Sequence, residues 1–390
     1  MSKNMTHWLM VIITEKIAVK RIVEEDYMTS EDAKRKRCTL LLIQNDCETL
    51  KGLVQKNMSS IFALGIIPYM ALFCRSFQEY TNKRLLDPTI DAELFDIRNS
   101  IKYYQERYAR NKKRFLAADE EQDNEFRDLL RFDFLKNWNI HDNIGIYFEK
   151  NRHIICNTQL MAELLNLSDL PIDERKTKMI SIGSHVGEMI NSVSIGLSKA
   201  NPAPSIQINS CDQDYYYYDL NTNVSSFFNS NDSKDRNLYI LHLISILGFV
   251  RYVLEPMLDR DNTWIFRIKY LTTHYSFWGL KNLDKYLQNS NLDNDKALSQ
   301  RIEAILMPGE HLFVSGFRNC MMHYDLIDGQ SFAVSEEYFN ETEPLFGLVE
   351  SYFSGLSYFK LFDELSSFAA AVEQFLMNQF DFRKVHPKRL

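Results

Sequence analysis

The sequence predicts an all-helical protein, and three observations lead to that fold class. The chain of 390 residues contains only 13 glycines and 9 prolines, so few positions interrupt a helix. Its apolar residues recur mostly at spacings of three and four, which is the period of a helix with one buried face. Hydrophobic residues make up 45% of the chain and charged residues 25%, as in ordinary soluble globular proteins. A chain of this length can form two helical domains, each with its own core.

Residues 1–200 are predicted to form an amino-terminal helical domain. Residues 94–115 place apolar side chains on one face and charges on the other, which predicts one helix, and residues 177–200 repeat that pattern. The apolar run at 61–74 is shorter than the ~20 residues of a membrane span and contains Pro68. We therefore interpret it as a buried, kinked helix.

Residues 201–236 are predicted to be a linker, because they are rich in Asn, Ser and Asp and have no helical period. Strands are expected mainly between 203 and 220, around the four tyrosines at 215–218. Those tyrosines either stack on nucleic-acid bases or pack on a neighbouring domain. Residues 237–390 are predicted to form a compact four-helix domain. Its helical segments are 238–258, 263–287 with Asn262 as a cap, a segment from about 298 that is interrupted near MPGEH, and 341–380, a long helix or a broken pair.

Charge and cysteine usage indicate the compartment and exclude some functions. The net charge of −7 argues against a protein that coats nucleic acid through its overall charge, but it allows a local basic site. The 6 cysteines are scattered, without CxxC or metal-like pairing with histidine, as in a reduced intracellular protein. The apolar run from Trp8 to Ile13 is too short for a signal sequence. We expect a cytoplasmic protein with no membrane segment, no metal and no cofactor.

An arginine followed after four to six residues by a histidine occurs three times, at Arg236–His242, Arg267–His274 and Arg318–His323. Spacing alone does not choose among the three pairs, but their surroundings differ. His242 lies in the most apolar helical segment, which is typical of a buried core histidine. The second pair lies among aromatic residues, which is typical of packing on a helix flank. The first pair is kept as a reserve, and the third is the best candidate.

The third pair has neighbours that suit an accessible site. Asn319 and His323 are four residues apart and share a helix face, so the amide can orient the imidazole. Arg318 points off that face, toward space for a substrate. Asp328 and Gly329 predict that the helix ends just beyond His323, which leaves the imidazole reachable.

The string FRNCMMHYD resembles the motif of the HEPN superfamily (higher eukaryotes and prokaryotes nucleotide-binding domains). That motif is an arginine, four to six residues and a histidine, often with a polar residue directly after the arginine. The sequence matches it at Arg318, Asn319 and His323, and the resemblance covers roughly residues 237–382. It implies a HEPN-like four-helix bundle that cleaves RNA without a metal, through attack of the ribose 2′-hydroxyl on the adjacent phosphate.

The resemblance also implies a role for each matched residue. His323 would transfer protons, because imidazole titrates near neutral pH. Arg318 would stabilise the negative charge that develops on the phosphate, and Asn319 would orient the ring. Tyr324 would support the site. Such domains usually dimerise, so a homodimer through the carboxy-terminal domain would bring two Arg318–His323 pairs into one cleft.

Three interpretations of the whole chain remain open. The first is an endoribonuclease toxin or effector of bacterial anti-phage defence or of a toxin–antitoxin system, with an antitoxin or regulatory protein docking on residues 1–200. The second is a non-catalytic module that binds RNA, a nucleotide or a protein, and the third is a helical protein in which the motif is coincidental. The basic segments 33–37 and 107–115 either hold RNA or form solvated helix faces. A second Arg–Asn pair, Arg98–Asn99, has no histidine within reach in the sequence and is interpreted as structural.

Overall fold

The fold is mostly helical, as predicted. The computed structural model describes residues 31–57, 59–82, 86–102, 104, 106–128, 141–168, 170–199, 204–209, 214–223, 227–228 and 233–390. The described helices before residue 200 are α1 (Glu31–Lys56), α2 (Ser60–Thr81), α3 (Pro88–Ser100), α4 (Tyr108–Asp128), α5 (Thr158–Leu164) and α6 (Ile172–Ser198). Those that follow are α7 (Lys234–Phe249), α8 (Thr263–Leu287), α9 (Asp293–Leu306), α10 (Ser315–Met322), α11 (Leu348–Tyr352) and α12 (Tyr358–Met377).

The described strands form one antiparallel sheet and one short hairpin. They are β1 (Ile144–Glu149), β2 (Ile154–Asn157), β3 (Tyr215–Leu220), β4 (Ile327–Asp328), β5 (Ser331–Phe332) and β6 (Lys388–Arg389). The sheet has the order β2-β1-β3-β6, and β4 pairs with β5. The strand expected at the tyrosines is confirmed as β3, in which Tyr215 is buried and Tyr216 and Tyr218 pack against the core.

The expectation that strands lie mainly between 203 and 220 is wrong, because β1 and β2 form a hairpin outside that range. Both are short apolar runs, nearly all of whose residues are buried. A run of that length has no clear period of two or of 3.6, so its pattern does not separate a buried strand from a buried helix.

Helix α7 lies at the centre of the molecule. Every one of its residues after the first is buried, and it packs against β2, α4, α8 and α12. At Gly248 the strand β2 comes so close that an added Cβ would lie 1.9 Å from the carbonyl oxygen of Ile154. Only glycine fits there. The buried hydrophobic residues that the structure describes form one continuous cluster, which includes Cys38 of α1 and Val385 near the carboxyl end.

The four carboxy-terminal segments appear at the expected places. Helix α7 continues through a π-helical turn, Val250–Leu254, and a short 3-10 turn. Helix α8 begins at Thr263, where the side chain of Asn262 accepts hydrogen bonds from two backbone N–H groups, as expected for a cap. The third segment is α9 and α10 with a 3-10 turn between them, and the fourth is the broken pair α11 and α12. The HEPN-like four-helix bundle and the domain bounds 1–200, 201–236 and 237–390 stay predictions.

The single helix expected at 94–115 is wrong. Helix α3 ends at Ser100 and α4 begins at Tyr108. The hydroxyl of Ser100 donates to the carbonyl oxygen of Ile97 at 2.6 Å and to that of Leu164 in α5 at 2.8 Å. A serine that binds backbone carbonyl groups in this way competes with continuation of the helix. The apolar residues between 94 and 115 therefore belong partly to α3 and partly to α4, and both helices pack on the same core.

Two described helical segments are long and apolar enough to cross a membrane, α2 and Lys234–Met257. In both, most of the apolar window is buried inside the protein. This is weak support for a membrane span, because core helices have the same length and composition. The buried helix predicted at 61–74 is part of α2 and contains Pro68. The five described cysteines are free and buried, whereas Cys211 lies outside the described residues, as does the run from Trp8 to Ile13.

Candidate functional site

Helix α10 carries the Arg318 motif and ends at Met322, one residue before the histidine. His323 has an extended backbone, and its N–H closes the helix by donating to the carbonyl oxygen of Asn319 at 3.0 Å. The His323 side chain is 39% exposed. The helix thus ends before His323 and not just beyond it as predicted, because His323 already has an extended backbone, and its imidazole is partly exposed.

Side chains from α8 and α2 hold this helix end in place. Arg267 of α8 donates to the carbonyl oxygen of Met321 at 2.9 and 3.2 Å, and Ser76 of α2 donates to that of Met322 at 2.7 Å. Arg267 is itself buried and paired with the buried carboxylate of Asp46. The last carbonyl groups of a helix have no partner within the helix, so these bonds satisfy them and fix where His323 emerges.

His323 contacts two residues from the amino-terminal part of the chain. Its Nδ1 lies 3.1 Å from Oε2 of Glu79 in α2 and 3.4 Å from Nη2 of Arg98 in α3. Arg98 also donates to Oε1 of Glu79 at 2.5 Å. The carboxylate thus bridges a buried arginine, whose side chain is 4% exposed, and a partly exposed histidine. Among the described residues the ring's partners approach Nδ1, so Nε2 is open to a ligand.

The charge of Glu79 determines which ring nitrogen can react. Partial burial alone would raise the pKa of Glu79, but the hydrogen bond from His323 and the charges of Arg98, His323 and Arg75 outweigh it and hold the pKa at about 2. Glu79 is therefore ionised near neutral pH and accepts the proton of Nδ1–H. In that tautomer Nε2 is the nitrogen that can accept a proton from a ligand.

Asn319 makes a different contact from the one expected. Its exposed side chain accepts a hydrogen bond from Nη1 of Arg318 at 3.1 Å. The helix ends before His323, so the i,i+4 relation that would bring the amide beside the ring is lost. Orientation of the imidazole comes from Glu79. A catalytic role for Asn319 stays a prediction.

Arg318 and Lys102 add positive charge to the site. The Arg318 guanidinium lies 6.0 Å from the ring centroid of Tyr275. Burial, together with the charges of Arg98 and Arg318, lowers the pKa of Lys102 to about 8, although Glu79 acts in the opposite direction. Lys102 therefore lies within the electrostatic reach of both arginines and of Glu79. Positive charges of this kind attract an anionic ligand. The adjacent cavity is itself lined by the carboxylates of Glu79 and Asp325, and Arg318 and Lys102 are not part of its lining.

A surface cavity of about 440 Å³ lies over this arrangement and is lined by Glu79, Asn319 and His323, among others. Its volume falls in the range of ordinary small-ligand pockets. The histidine, its carboxylate and the motif asparagine therefore face one space that a ligand can enter.

Tyr324 is a core residue. Its side chain is 1% exposed, its hydroxyl donates to Oδ2 of Asp46 at 2.7 Å, and its ring lies under the guanidinium of Arg267. Its carbonyl oxygen accepts from the hydroxyl of Thr39 in α1 at 2.7 Å. These contacts anchor the chain directly after His323, and a supporting role of Tyr324 in catalysis stays a prediction.

The other two arginine–histidine pairs are buried. His242 is fully buried between Tyr104 and Gln159, at 3.1 and 3.0 Å, and burial lowers its pKa to about 3. Arg236 of the same reserve pair is bound to Asp295 at 2.7 Å. His274 is also buried, with its pKa lowered to about 3 by burial and by the charge of Arg318. These neutral core histidines agree with the packing roles expected for both pairs.

The two basic segments are largely engaged in ion pairs within the chain. Lys34 is bound to Glu336, Arg35 to Asp32 and Asp325, and Arg37 to Glu341. In the second segment Arg110, Lys112 and Arg114 are bound to Glu106, Asp235 and Glu163, respectively. No group of three or more His, Cys, Asp or Glu side chains within the described ranges is placed to hold a metal ion.

Sequence reasoning missed Glu79, Arg98 and Lys102. Arg98 had been interpreted as structural because no histidine follows it within reach, yet His323 lies beside it in space. The only signal was a second Arg–Asn pair, and spacing along the chain cannot show which helices meet. Comparisons of the chain with protein-family models, with curated proteins and with solved structures gave no match.

Proposed function

We propose that the protein is a metal-independent endoribonuclease whose site is built around His323. The observation that carries the proposal is the bridge from Arg98 through Glu79 to Nδ1 of His323, which leaves Nε2 open at a surface cavity. A fixed imidazole with one open nitrogen is suited to proton transfer. Arginine and lysine side chains nearby are suited to a phosphate group.

In the proposed reaction, Nε2 of His323 takes the proton of a ribose 2′-hydroxyl. The 2′-oxygen forms a bond to the adjacent phosphorus, and the bond from phosphorus to the 5′-oxygen breaks. The products are a 2′,3′-cyclic phosphate and a 5′-hydroxyl, whose oxygen takes up a proton. Arg318, with Lys102, would stabilise the extra negative charge of the transition state. Glu79 would stabilise the imidazolium that forms.

The biological setting is proposed from the HEPN resemblance. The protein would be a cytoplasmic toxin or effector of anti-phage defence or of a toxin–antitoxin system. Residues 1–200 would sense a signal or bind an antitoxin or regulatory protein. A homodimer through the carboxy-terminal domain would bring a second Arg318–His323 pair to the cleft, and its histidine would donate the proton to the 5′-oxygen.

A second candidate function is binding of RNA, a nucleotide or a protein without cleavage. It is favoured by the polar contacts of the ring, since Arg98 at 3.4 Å and Glu79 at 3.1 Å from Nδ1 hold the imidazole in place at the cavity whether or not it transfers a proton. A ring held in this way could bind a ligand through Nε2 without cleaving it.

The experiment that separates the two candidates is incubation of total RNA with purified protein in EDTA. His323→Ala and Arg318→Ala should each lower the cleavage rate by ~10²–10⁴-fold, the usual contribution of a general acid–base group or an electrostatic stabiliser. His311→Ala is the matched control, because His311 is exposed, contacts Glu364 and does not line the cavity at His323. If wild type and both site variants cut RNA equally, or if wild type binds RNA and cuts none, the nuclease proposal fails.

A further inference from the structure

A second cavity, of about 600 Å³, lies between the π-helical turn after α7 and the carboxyl end of α12. Its lining combines charged, amide and aromatic side chains. The residues on which the argument rests are His153, Arg251, Tyr252, Glu373 and Arg383. π-Helical turns are uncommon and are found frequently at functional sites.

Glu373 organises the floor of this cavity. Its side chain is 3% exposed and accepts hydrogen bonds from Nδ1 of His153 at 3.0 Å and from the hydroxyl of Tyr252 at 2.9 Å. It also forms an ion pair with Arg251. A buried carboxylate with three donors holds all three side chains in fixed positions. The site is therefore formed before any ligand arrives.

The hairpin between β1 and β2 places His153 in this arrangement. Arg152 has a φ of 67°, in the left-handed region, and the carboxylate of Glu149 accepts hydrogen bonds from the backbone N–H groups of Asn151 and His153 at 2.8 and 3.2 Å. The His153 ring then stacks on Tyr252, with centroids 4.1 Å apart and planes inclined by 21°. His153 is 35% exposed, so part of this aromatic pair can be reached from solvent.

Near the stacked pair of His153 and Tyr252, Arg251 and Arg383 have N–H groups for which the structure shows no hydrogen bond to a described residue. Arg251 binds Glu373 through Nη1, and the structure gives its Nε and Nη2 no hydrogen bond to a described residue. Arg383 binds Asp381 through Nε and Nη2, both at 2.8 Å, which leaves its Nη1. The two side chains are 21% and 88% exposed. A guanidinium edge of this kind matches the oxygens of a phosphate group.

We propose that this cavity binds a small ligand in which a planar aromatic ring carries a phosphate group, such as a mononucleotide. The ring stacks on the pair formed by His153 and Tyr252, and the phosphate binds Arg251 and Arg383. A volume of about 600 Å³ lies within the range of pockets that enclose ligands of this size. The inference uses none of the residues of the His323 site, so it does not depend on the proposed nuclease activity.

The test is isothermal titration of the full chain with adenosine 5′-monophosphate, adenosine and inorganic phosphate in parallel. The monophosphate should bind at least about tenfold more tightly than either fragment, because stacking and charged hydrogen bonds each contribute. Equal affinity for inorganic phosphate would show that the aromatic pair binds no ring and would overturn the proposal. Absence of binding at millimolar monophosphate would also overturn it.

Variants locate the binding. Arg251→Lys keeps the charge beside Glu373 but removes the planar fork, and Arg383→Ala removes an exposed donor. Each should weaken monophosphate binding about tenfold. The matched control is Arg260→Ala, since Arg260 is an exposed arginine paired with Asp363. Affinity that falls instead in His323→Ala would place the ligand in the other cavity and reject this site.

Discussion

The clusters around His323 and His153 each contain a histidine, a glutamate and an arginine, with the glutamate between the other two. They differ in which member of the glutamate–arginine ion pair is buried. In each, a glutamate bridges Nδ1 of the histidine and an arginine. At His323 the arginine is the buried member, with Arg98 4% exposed and Glu79 29% exposed. At His153 the carboxylate is buried, with Glu373 3% exposed and Arg251 21% exposed.

Which member of the ion pair is buried determines which charged group a ligand can contact. The buried member of an ion pair is fixed by its partner, because an isolated charge in the core is costly. The more exposed member keeps atoms free for other contacts. At His323 those atoms belong to the carboxylate and the imidazole, which suits proton transfer. At His153 they belong to the arginine, which suits capture of an anion.

The largest effect should be seen in stability at the second cluster. Arg251→Gln leaves the buried Glu373 carboxylate without its cation and should lower the free energy of unfolding by about 3 kcal/mol. Glu373→Gln leaves an arginine that can turn toward water and should cost about 1 kcal/mol. Denaturant unfolding at pH 7 measures both values. If Glu373→Gln lowers the free energy of unfolding as much as Arg251→Gln or more, burial does not decide which of the two residues is more important for stability.

The next effect should be seen in catalysis at the first cluster. Glu79→Gln keeps an oxygen that accepts from Arg98 but loses the charge that stabilises an imidazolium, so RNA cleavage should fall by about 10²-fold. The rate is compared at equal folded protein. Glu364→Gln is the control, because Glu364 lies 3.2 Å from the exposed His311. A Glu79→Gln variant that cuts at the wild-type rate would remove Glu79 from the proposed mechanism.

The sequence was most informative where a local pattern determines the structure. Helix α8 occupies the predicted residues because its apolar period and the Asn262 cap are both local. The end of α10 was predicted only approximately: turn-forming residues follow within a few positions, but the helix ends at Met322, before His323 and not beyond it. The exposure of the motif histidine could therefore be anticipated from one stretch of chain.

What surrounds His323 could not be predicted, because it depends on helices that are distant in sequence. Glu79 and Arg98 come from α2 and α3, more than 220 residues away. Glu79 carries no local signal, and at the end of α3 the hydroxyl of Ser100 contacts the carbonyl oxygen of Leu164, which is 64 residues away in sequence. The His153 cluster likewise combines residues from three separate parts of the chain, namely the β1–β2 hairpin, the π-helical turn and α12.

The smallest expected effect concerns Lys102, which lies within electrostatic reach of the first cluster. The described lining of the second cavity contains no lysine. Because its pKa is lowered to about 8, Lys102 is charged below that pH and becomes neutral above it. If this charge helps to hold the RNA phosphate, cleavage should fall by about two- to fivefold between pH 7.5 and 9, the size of a screened charge contribution. Lys102→Arg keeps its charge throughout and should lose less of its rate over that range.

The measurement is the initial cleavage rate of wild type and Lys102→Arg from pH 7 to 9.5, after subtraction of alkaline RNA hydrolysis in a blank. Lys281→Arg is the control, because Lys281 is a partly exposed lysine paired with Glu310, and its profile should follow that of wild type. Binding of adenosine 5′-monophosphate should stay constant over the same range, since arginines hold their charge there. If the Lys102→Arg profile instead coincides with that of wild type, the Lys102 charge does not act on the substrate, and the first cluster holds phosphate through its arginines alone.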